Sequence, residues 1–387
     1  MLEKLGIGII GCGNISETYL TLGPLFHGLD LKAVADINMD AAHARAAEFG
    51  VLAYTVEELL AADDIDIVVN LTNPAAHYDI SRRILEAGKH VYSEKPFVLS
   101  LKEGQALLEL AEQKGLRIGS APDTFLGGSH QQCRSLIDSG AIGKVGSGTC
   151  HVMSRGMEHW HPNPAFFFKD GGGPILDLGP YYLTNLVQLL GPVKAVSALT
   201  SIPSPKRTVT SEQRYGETIS VETETTVHAL LEFHSGAVIT FGASWDVKDH
   251  SHNHMELYGE TGTLYGPDPN FFGGEVRIAD ENEVPVDLPA WQHPFGEPNQ
   301  QHDSMGALAN YRAAGLSDMA MGILEGRAHR CNHALALHVA DVMFSILTSG
   351  RERKFVELET TCTRPDALLK EDAAQILLIS SQDLVAD

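Results

Sequence analysis

Cysteine is scarce in this sequence and has none of the spacings that would make it structural. The five cysteines, Cys12, Cys133, Cys150, Cys331 and Cys362, are scattered and form no C-x-x-C pair. Neither a disulfide framework nor a zinc site is indicated, and a reducing, cytoplasmic location is the expectation. Long hydrophobic runs are missing too: there is no stretch of about 18 apolar residues to span a membrane. The apolar run Gly6–Ile10 near the N-terminus is too short for a signal peptide. Basic charge is sparse. The 28 Lys and Arg against 50 Asp and Glu leave a formal charge of −22 with no basic run to offset it, which disfavours nucleic acid and anionic membranes as partners. The Gly-x-Ser-x-Gly, His-Glu-x-x-His and Gly-x-x-x-x-Gly-Lys-Ser/Thr patterns are absent, which argues against serine hydrolase, zincin and P-loop chemistry. Glycine, by contrast, is plentiful: 37 residues against a usual share of about 7% imply many tight turns and close backbone approaches.

The 387 residues suit two domains at roughly 100–200 residues each. We expect a first domain over 1–124 and a second over 125–387. In the first, short apolar runs alternate with helix-like segments. Strands are expected at Gly6–Ile10, Leu31–Asp36, Ile67–Leu71, His90–Ser93 and Arg117–Ser120. Helices fall between them, the last over Leu101–Lys114 with Ser100 and Glu103 in capping-box spacing. This is the pattern of βαβ units, a parallel, doubly wound α/β sheet of Rossmann type. After Pro122 the runs Val145–Met153, Val193–Leu199, Glu224–Phe233, Ala237–Trp245, His254–Tyr258 and Val276–Ala279 are rich in β-branched and aromatic residues. Several alternate with period two. The second half therefore reads as α+β, a large and mainly antiparallel open sheet with one face buried. Residues 200–222 and 280–305, polar and rich in Pro or Asn, read as long loops.

The first strand ends in Gly11-Cys12-Gly13-Asn14-Ile15-Ser16. At a strand-to-helix turn this G-x-G-x-x-S run can hold a pyrophosphate on backbone N–H groups and a helix N-terminus. Gly11 permits the turn, and Gly13 lets the backbone approach the phosphates. Asp36 closes the second strand, where a carboxylate accepts hydrogen bonds from a ribose. Ile37 and Asn38 follow it, and no arginine is present there to pair a 2′-phosphate, so NAD is favoured over NADP.

Two further segments are specific: Ser93-Glu94-Lys95-Pro96 after the fourth strand, and Gly171-Gly172-Gly173-Pro174-Ile175-Leu176-Asp177-Leu178-Gly179-Pro180-Tyr181. With the glycine turn, Thr72-Asn73-Pro74 followed by His77, Ala121-Pro122-Asp123, Gly259-Glu260-Thr261-Gly262 and Asn310-Tyr311-Arg312, the sequence resembles the glucose–fructose oxidoreductase / inositol dehydrogenase (Gfo/Idh/MocA) family over nearly its whole length. The resemblance implies a Rossmann domain, a C-terminal domain on an open antiparallel sheet, and hydride transfer between nicotinamide and a secondary alcohol of a sugar or polyol. It also implies homodimers or homotetramers through the exposed sheet face. Thr72, Asn73, Pro74, His77, Glu94, Lys95 and Asp123 would join Gly11, Gly13, Asn14, Ile15 and Asp36 around the cofactor.

Oxidising a secondary alcohol needs a base for the hydroxyl proton and a donor or cation for the developing alkoxide. Lys95, Asp177 and Tyr181 are the candidate catalytic residues. Asp177 and Tyr181, four apart, would share one face of a helix. Tyr181 stands where the family usually has histidine, so the proton carrier is open among Tyr181, Tyr182 and Lys95. The segment Arg155-Gly156-Met157-Glu158-His159-Trp160-His161 is dense in donors and aromatics, making Arg155, Trp160 and His161 candidate sugar contacts beside Lys95, Asp177 and Tyr181. His250, His252 and His254 alternate as if on one strand face, yet nothing completes a metal site, and no metal is expected. The reading is an NAD-dependent sugar or polyol dehydrogenase or reductase; the rivals are an NAD-dependent glycosidase working by transient oxidation and elimination, and a non-catalytic NAD-binding sensor.

Overall fold

The computed structural model describes residues 3–378, apart from 283 and 303–305. The chain opens with β1 (Leu5–Ile10), α1 (Asn14–Leu22), β2 (Leu29–Ala35), α2 (Met39–Phe49), β3 (Leu52–Tyr54), α3 (Val56–Ala61), β4 (Ile67–Asn70), α4 (His77–Glu86), β5 (His90–Ser93), α5 (Leu101–Lys114) and β6 (Ile118–Ser120). The six strands form one parallel sheet in the order β3-β2-β1-β4-β5-β6. Helices α2 and α3 start where short polar side chains take up free N–H groups: Asn38 accepts from Asp40, and Thr55 and Glu58 form a complete capping box. At α5, Ser100 accepts the Glu103 N–H, but Glu103 returns its bond to Leu99 and not to Ser100. Strand β3 was not expected. Three residues with only one well-packed face carry little periodicity.

The chain order reverses across β1, with β2 on one side and β4 on the other, which opens a crevice at the carboxyl ends of the strands. Gly11, Asp36, Thr72, Glu94, Lys95 and Asp123 all follow strands at that edge.

The rest of the chain adds α6 (Gly128–Asp138), β7 (Val145–Met153), α7 (Gly173–Asp177), α8 (Gly179–Leu190), β8 (Val193–Ser201), β9 (Lys206–Thr208), β10 (Thr218–Ser220), β11 (Thr226–Phe233), β12 (Val238–Ser244), β13 (Met255–Gly259), β14 (Thr263–Gly266), β15 (Arg277–Ala279), β16 (Val286–Asp287), β17 (Gln300–His302), β18 (Gly306–Leu308), α9 (Ala314–Glu325), α10 (His333–Glu352), β19 (Val356–Glu357) and α11 (Lys370–Ile376). Nine strands make a second sheet, β16-β15-β14-β13-β7-β12-β11-β8-β19, antiparallel except for the β7–β12 pair. Helices α8 and α10 pack on one face through Leu183, Leu186, Val187, Val342 and Ile346. The opposite face exposes Leu199, Leu230 and Val238. Helix α10 is long and apolar enough to cross a bilayer, but 72% of its apolar window is buried inside the protein, as befits a core helix.

The polar stretches expected as loops hold short pieces of structure: β9 pairs with β10 inside 200–222, and β16 and β17 fall inside 280–305. Residues 283 and 303–305 of the latter lie outside the described residues. Strands of two or three residues, most of them exposed, offer too few positions for a pattern to show.

Candidate active site

Strand β1 runs into Gly11, whose φ of +106° and whose missing Cβ, which would lie 2.6 Å from the Leu71 carbonyl, allow the chain to turn tightly against β4. Gly13 then opens α1. No side chain caps this helix, and a Cβ on Gly13 would meet nothing within 4 Å. Free N–H groups at Asn14 and Ile15, the positive end of a helix dipole and open space in front of them suit a phosphate. Asp36 faces the same turn: its carboxylate accepts the Cys12 N–H at 2.7 Å and the Asn38 N–H at 2.8 Å. These residues fit a dinucleotide. Beyond β4, the Thr72 hydroxyl donates to Asn70 Oδ1 at 2.7 Å, and Asn73 and Pro74 lead into α4. His77 is buried, its Nδ1 2.7 Å from the Pro96 carbonyl and its Nε2 2.9 Å from that of Thr72. Both ring nitrogens are taken up by the protein, so His77 ties the Thr72 loop to the Lys95–Pro96 loop and has no nitrogen left for a cofactor.

Lys95 reaches from the end of β5 to α7 and α8. Its Nζ donates to Asp177 Oδ1 and to the Asp177 carbonyl, each at 2.8 Å, and lies 5.2 Å from the centre of the Tyr181 ring. Burial works against the charge, but Asp177, Tyr181 and Glu94 outweigh it and raise the Lys95 pKa, so the ammonium is held protonated. Asp177 and Tyr181 do not share a helix. Asp177 ends α7 and Tyr181 sits in the first turn of α8, because Pro180 lacks the N–H that would continue the ladder. Their four-residue spacing still brings both to Lys95.

A guanidinium that sequence reasoning left without a role completes the cluster. Arg312 is half-buried; loss of water works against its charge, but neighbouring Tyr181, Asp123 and Glu94 outweigh this and raise its pKa. Asp123 accepts the Gly315 N–H at 3.1 Å, and burial pushes its pKa up to about 6. Glu94 accepts from the Tyr19 hydroxyl at 3.1 Å and from the Lys95 N–H at 2.9 Å. The only signal for Arg312 was its place in Asn310-Tyr311-Arg312 near the end of the matched segments. Nothing in local spacing connects it to Tyr181.

Residues 5–121 match an oxidoreductase family with an NAD-binding Rossmann fold, GFO/IDH/MocA, and residues 130–265 match the GFO/IDH/MocA C-terminal domain. The chain belongs to this oxidoreductase family. Within it, an uncharacterised oxidoreductase of Schizosaccharomyces pombe is 32% identical over 160 residues, 40% of this chain and 42% of that protein. The chain thus spans about two-fifths of the length of this curated relative. The D-glucoside 3-dehydrogenase of Escherichia coli is 25% identical over 325 residues, covering 80% of this chain and 88% of that enzyme. Among solved structures, levoglucosan dehydrogenase in complex with NADH and L-sorbose superimposes with a TM-score of 0.78 at 20% identity, over 93% of this chain and all of that one. This last likeness is one of fold.

Against the GFO/IDH/MocA frame, the other expected site residues divide. His161 packs edge-on against Phe167 at 5.0 Å, and burial lowers its pKa, with the Asp177 charge opposing that shift. Trp160, 58% exposed, stands edge-on to His161 at 5.3 Å. Arg155 points elsewhere, into a pocket with Lys206 and Lys248. Tyr182 is turned away from Lys95: its hydroxyl donates to Asp268 Oδ1 at 2.7 Å and lies 3.2 Å from His254 Nδ1. The histidines expected on one strand face precede β13. His252 stacks on His151 at 4.1 Å, while His254 lies beside Tyr182. Among the described residues no group of His, Cys, Asp and Glu is arranged to hold a metal ion.

Proposed function

We propose that this protein is an NAD-dependent dehydrogenase or reductase acting on a secondary alcohol of a sugar or polyol. The observation that carries the reading is the convergence of Lys95, Tyr181 and Arg312 at the carboxyl edge of a dinucleotide-binding sheet. When bound, nicotinamide supplies the hydride acceptor or donor. The pyrophosphate is held by the backbone around Gly13, with Asn14 and Ile15, and the adenosine ribose by Asp36. A fixed carboxylate at that position repels a 2′-phosphate, which supports NAD over NADP.

The chain's own groups then account for the proton. Lys95, kept charged by Asp177, donates to the substrate oxygen and stabilises negative charge there. The Tyr181 hydroxyl relays the alcohol proton in oxidation, its oxygen accepting that proton as its own leaves to solvent, and the relay runs in reverse in reduction. Lys95 lies over the Tyr181 ring at 5.2 Å, and Arg312 neighbours its hydroxyl. The engagement of Tyr182 with Asp268, and the fixed charge of Lys95, both support Tyr181 as the carrier. His161 and Trp160 supply an aromatic edge suited to an apolar sugar face. The exposed face of the large sheet, with Leu199, Leu230 and Val238 open to solvent, supports self-association through that surface.

The test is a panel of monosaccharides, inositols and glycosides assayed for NADH formation, with NADP in parallel. Accumulating NADH with at least one member, and less activity with NADP, is the expected result. Product without NADH would contradict it.

A further inference from the structure

A pocket of about 400 Å³ lies on the second sheet between the 155–159 segment, β9 and the end of β12, and no part of the proposed reaction uses it. Its walls carry four cationic side chains, Arg155, Lys206, Arg207 and Lys248, against two carboxylates, Glu158 and Asp246, in a chain whose formal charge is −22. Arg207 is nine-tenths buried. It donates to Glu158 Oε1 at 2.7 Å, to the Trp245 carbonyl at 2.9 Å, to the Arg155 carbonyl at 3.1 Å and to the Asp246 carboxylate. Its guanidinium also lies over the Phe168 ring at 5.1 Å. Arg207 is therefore matched and fixed, whereas Arg155, Lys206 and Lys248 make no ion pair among the described residues.

Polar atoms on these walls are left without partners. The indole N–H of Trp245, a fully buried side chain, the Nε–H of Arg207 and the Oε2 of Glu158 have none. A buried donor or acceptor in that state costs free energy until a water or a ligand meets it. Gly156 holds the wall close: at φ +95°, a Cβ there would lie 2.6 Å from Glu158 Oε2 and 3.0 Å from Arg207 Nη1.

We propose that this pocket is a second small-molecule site that takes a hydroxylated anion of sugar size, a sugar acid or a sugar phosphate. The anionic group pairs with Arg155, Lys206 and Lys248 at the mouth. Ligand hydroxyls meet the polar side chains of Ser204, Thr208 and Thr210, which line the same pocket. The volume is in the range of small-molecule sites, roughly 300–1,000 Å³. The site is separate from the Lys95 cluster; Trp245 on its wall packs on Phe167 at 6.0 Å, and Phe167 packs on His161 at 5.0 Å. The assignment stands on its own observations and does not depend on the dehydrogenase reading.

Calorimetric titration of the full chain with D-gluconate, D-glucose 6-phosphate and neutral D-glucitol tests it. One or both anions should bind, and glucitol should bind at least about tenfold more weakly. Which anion binds distinguishes a sugar acid from a sugar phosphate. Lys206→Glu combined with Lys248→Glu, both at exposed positions, should weaken anion binding about tenfold or more, while Lys95→Met should leave it unchanged. Absence of binding by either anion at millimolar concentration would overturn the proposal, as would equal binding of glucitol or full binding by the double variant. So would loss of binding in Lys95→Met, which would place the ligand in the cleft.

Discussion

At Lys95 the charge is fixed by Asp177 rather than poised to titrate, and this divides the work among the side chains that meet there. Tyr181→Phe should lower kcat by about 100-fold or more, the usual scale for losing a positioned proton carrier. Tyr182→Phe should leave kcat within about a few fold and cost only about 1 kcal/mol of stability, because its hydroxyl serves Asp268 and not the cluster. Steady-state kinetics and urea unfolding on the two variants separate these roles. Asp123 gives a second prediction. Its folded pKa of about 6 lies above its ordinary value of 3.8, so the folded state holds the proton longer than the unfolded chain. Wild-type stability should therefore fall, relative to Asp123→Asn, as pH rises from about 4 through about 6, and the difference should be level above that window. Unfolding midpoints of both proteins across that range give the measurement. A rise in relative stability over the window would contradict the burial of Asp123.

Among the elements, the β1–α1 turn makes the sharpest distinction between structure and binding. Gly11→Ala places a Cβ against the Leu71 carbonyl at positive φ and should cost about 1–3 kcal/mol. Gly13→Ala adds a methyl group in open space. It should change stability by no more than about 1 kcal/mol while weakening NADH binding, measured by fluorescence titration against thermal melts. The same turn shows what could be read in advance. Strand, glycine turn, helix and Asp36 are contiguous features with strong periodicity, and β5, α5 and β7 fall on the expected residues for the same reason. Lys95, Asp177 and Tyr181 were legible because each sits in a local motif. Arg312 was not, since its link to Tyr181 exists only once α9 packs against β6. Arg155 was misleading in another way: it belongs to a donor-rich segment, but the chain turns it toward Lys206 and away from Lys95. Spacing along a segment without regular structure does not determine which side a residue faces.

For the molecule as a whole, the first sheet ends in the cofactor crevice, and α7 and α8, packed on the second sheet, present Asp177 and Tyr181 to it, with Lys95 bridging the gap. The nine-stranded sheet also leaves Leu199 and Leu230 on an open face. Replacing both with Asp should shift the sedimentation coefficient toward that of a monomer and leave the circular dichroism spectrum unchanged; an unaltered assembly would place the interface elsewhere. On the proposed function, hydride passes between nicotinamide and a sugar carbinol in this crevice. The most direct measurement follows a deuterium label on the reacting carbon of whichever sugar or polyol the panel identifies, using mass spectrometry of the recovered cofactor. The account predicts one deuterium in NADH for each ketone formed, and none when Lys95→Met is used. Label released to solvent, or product formed with no labelled NADH, would contradict it.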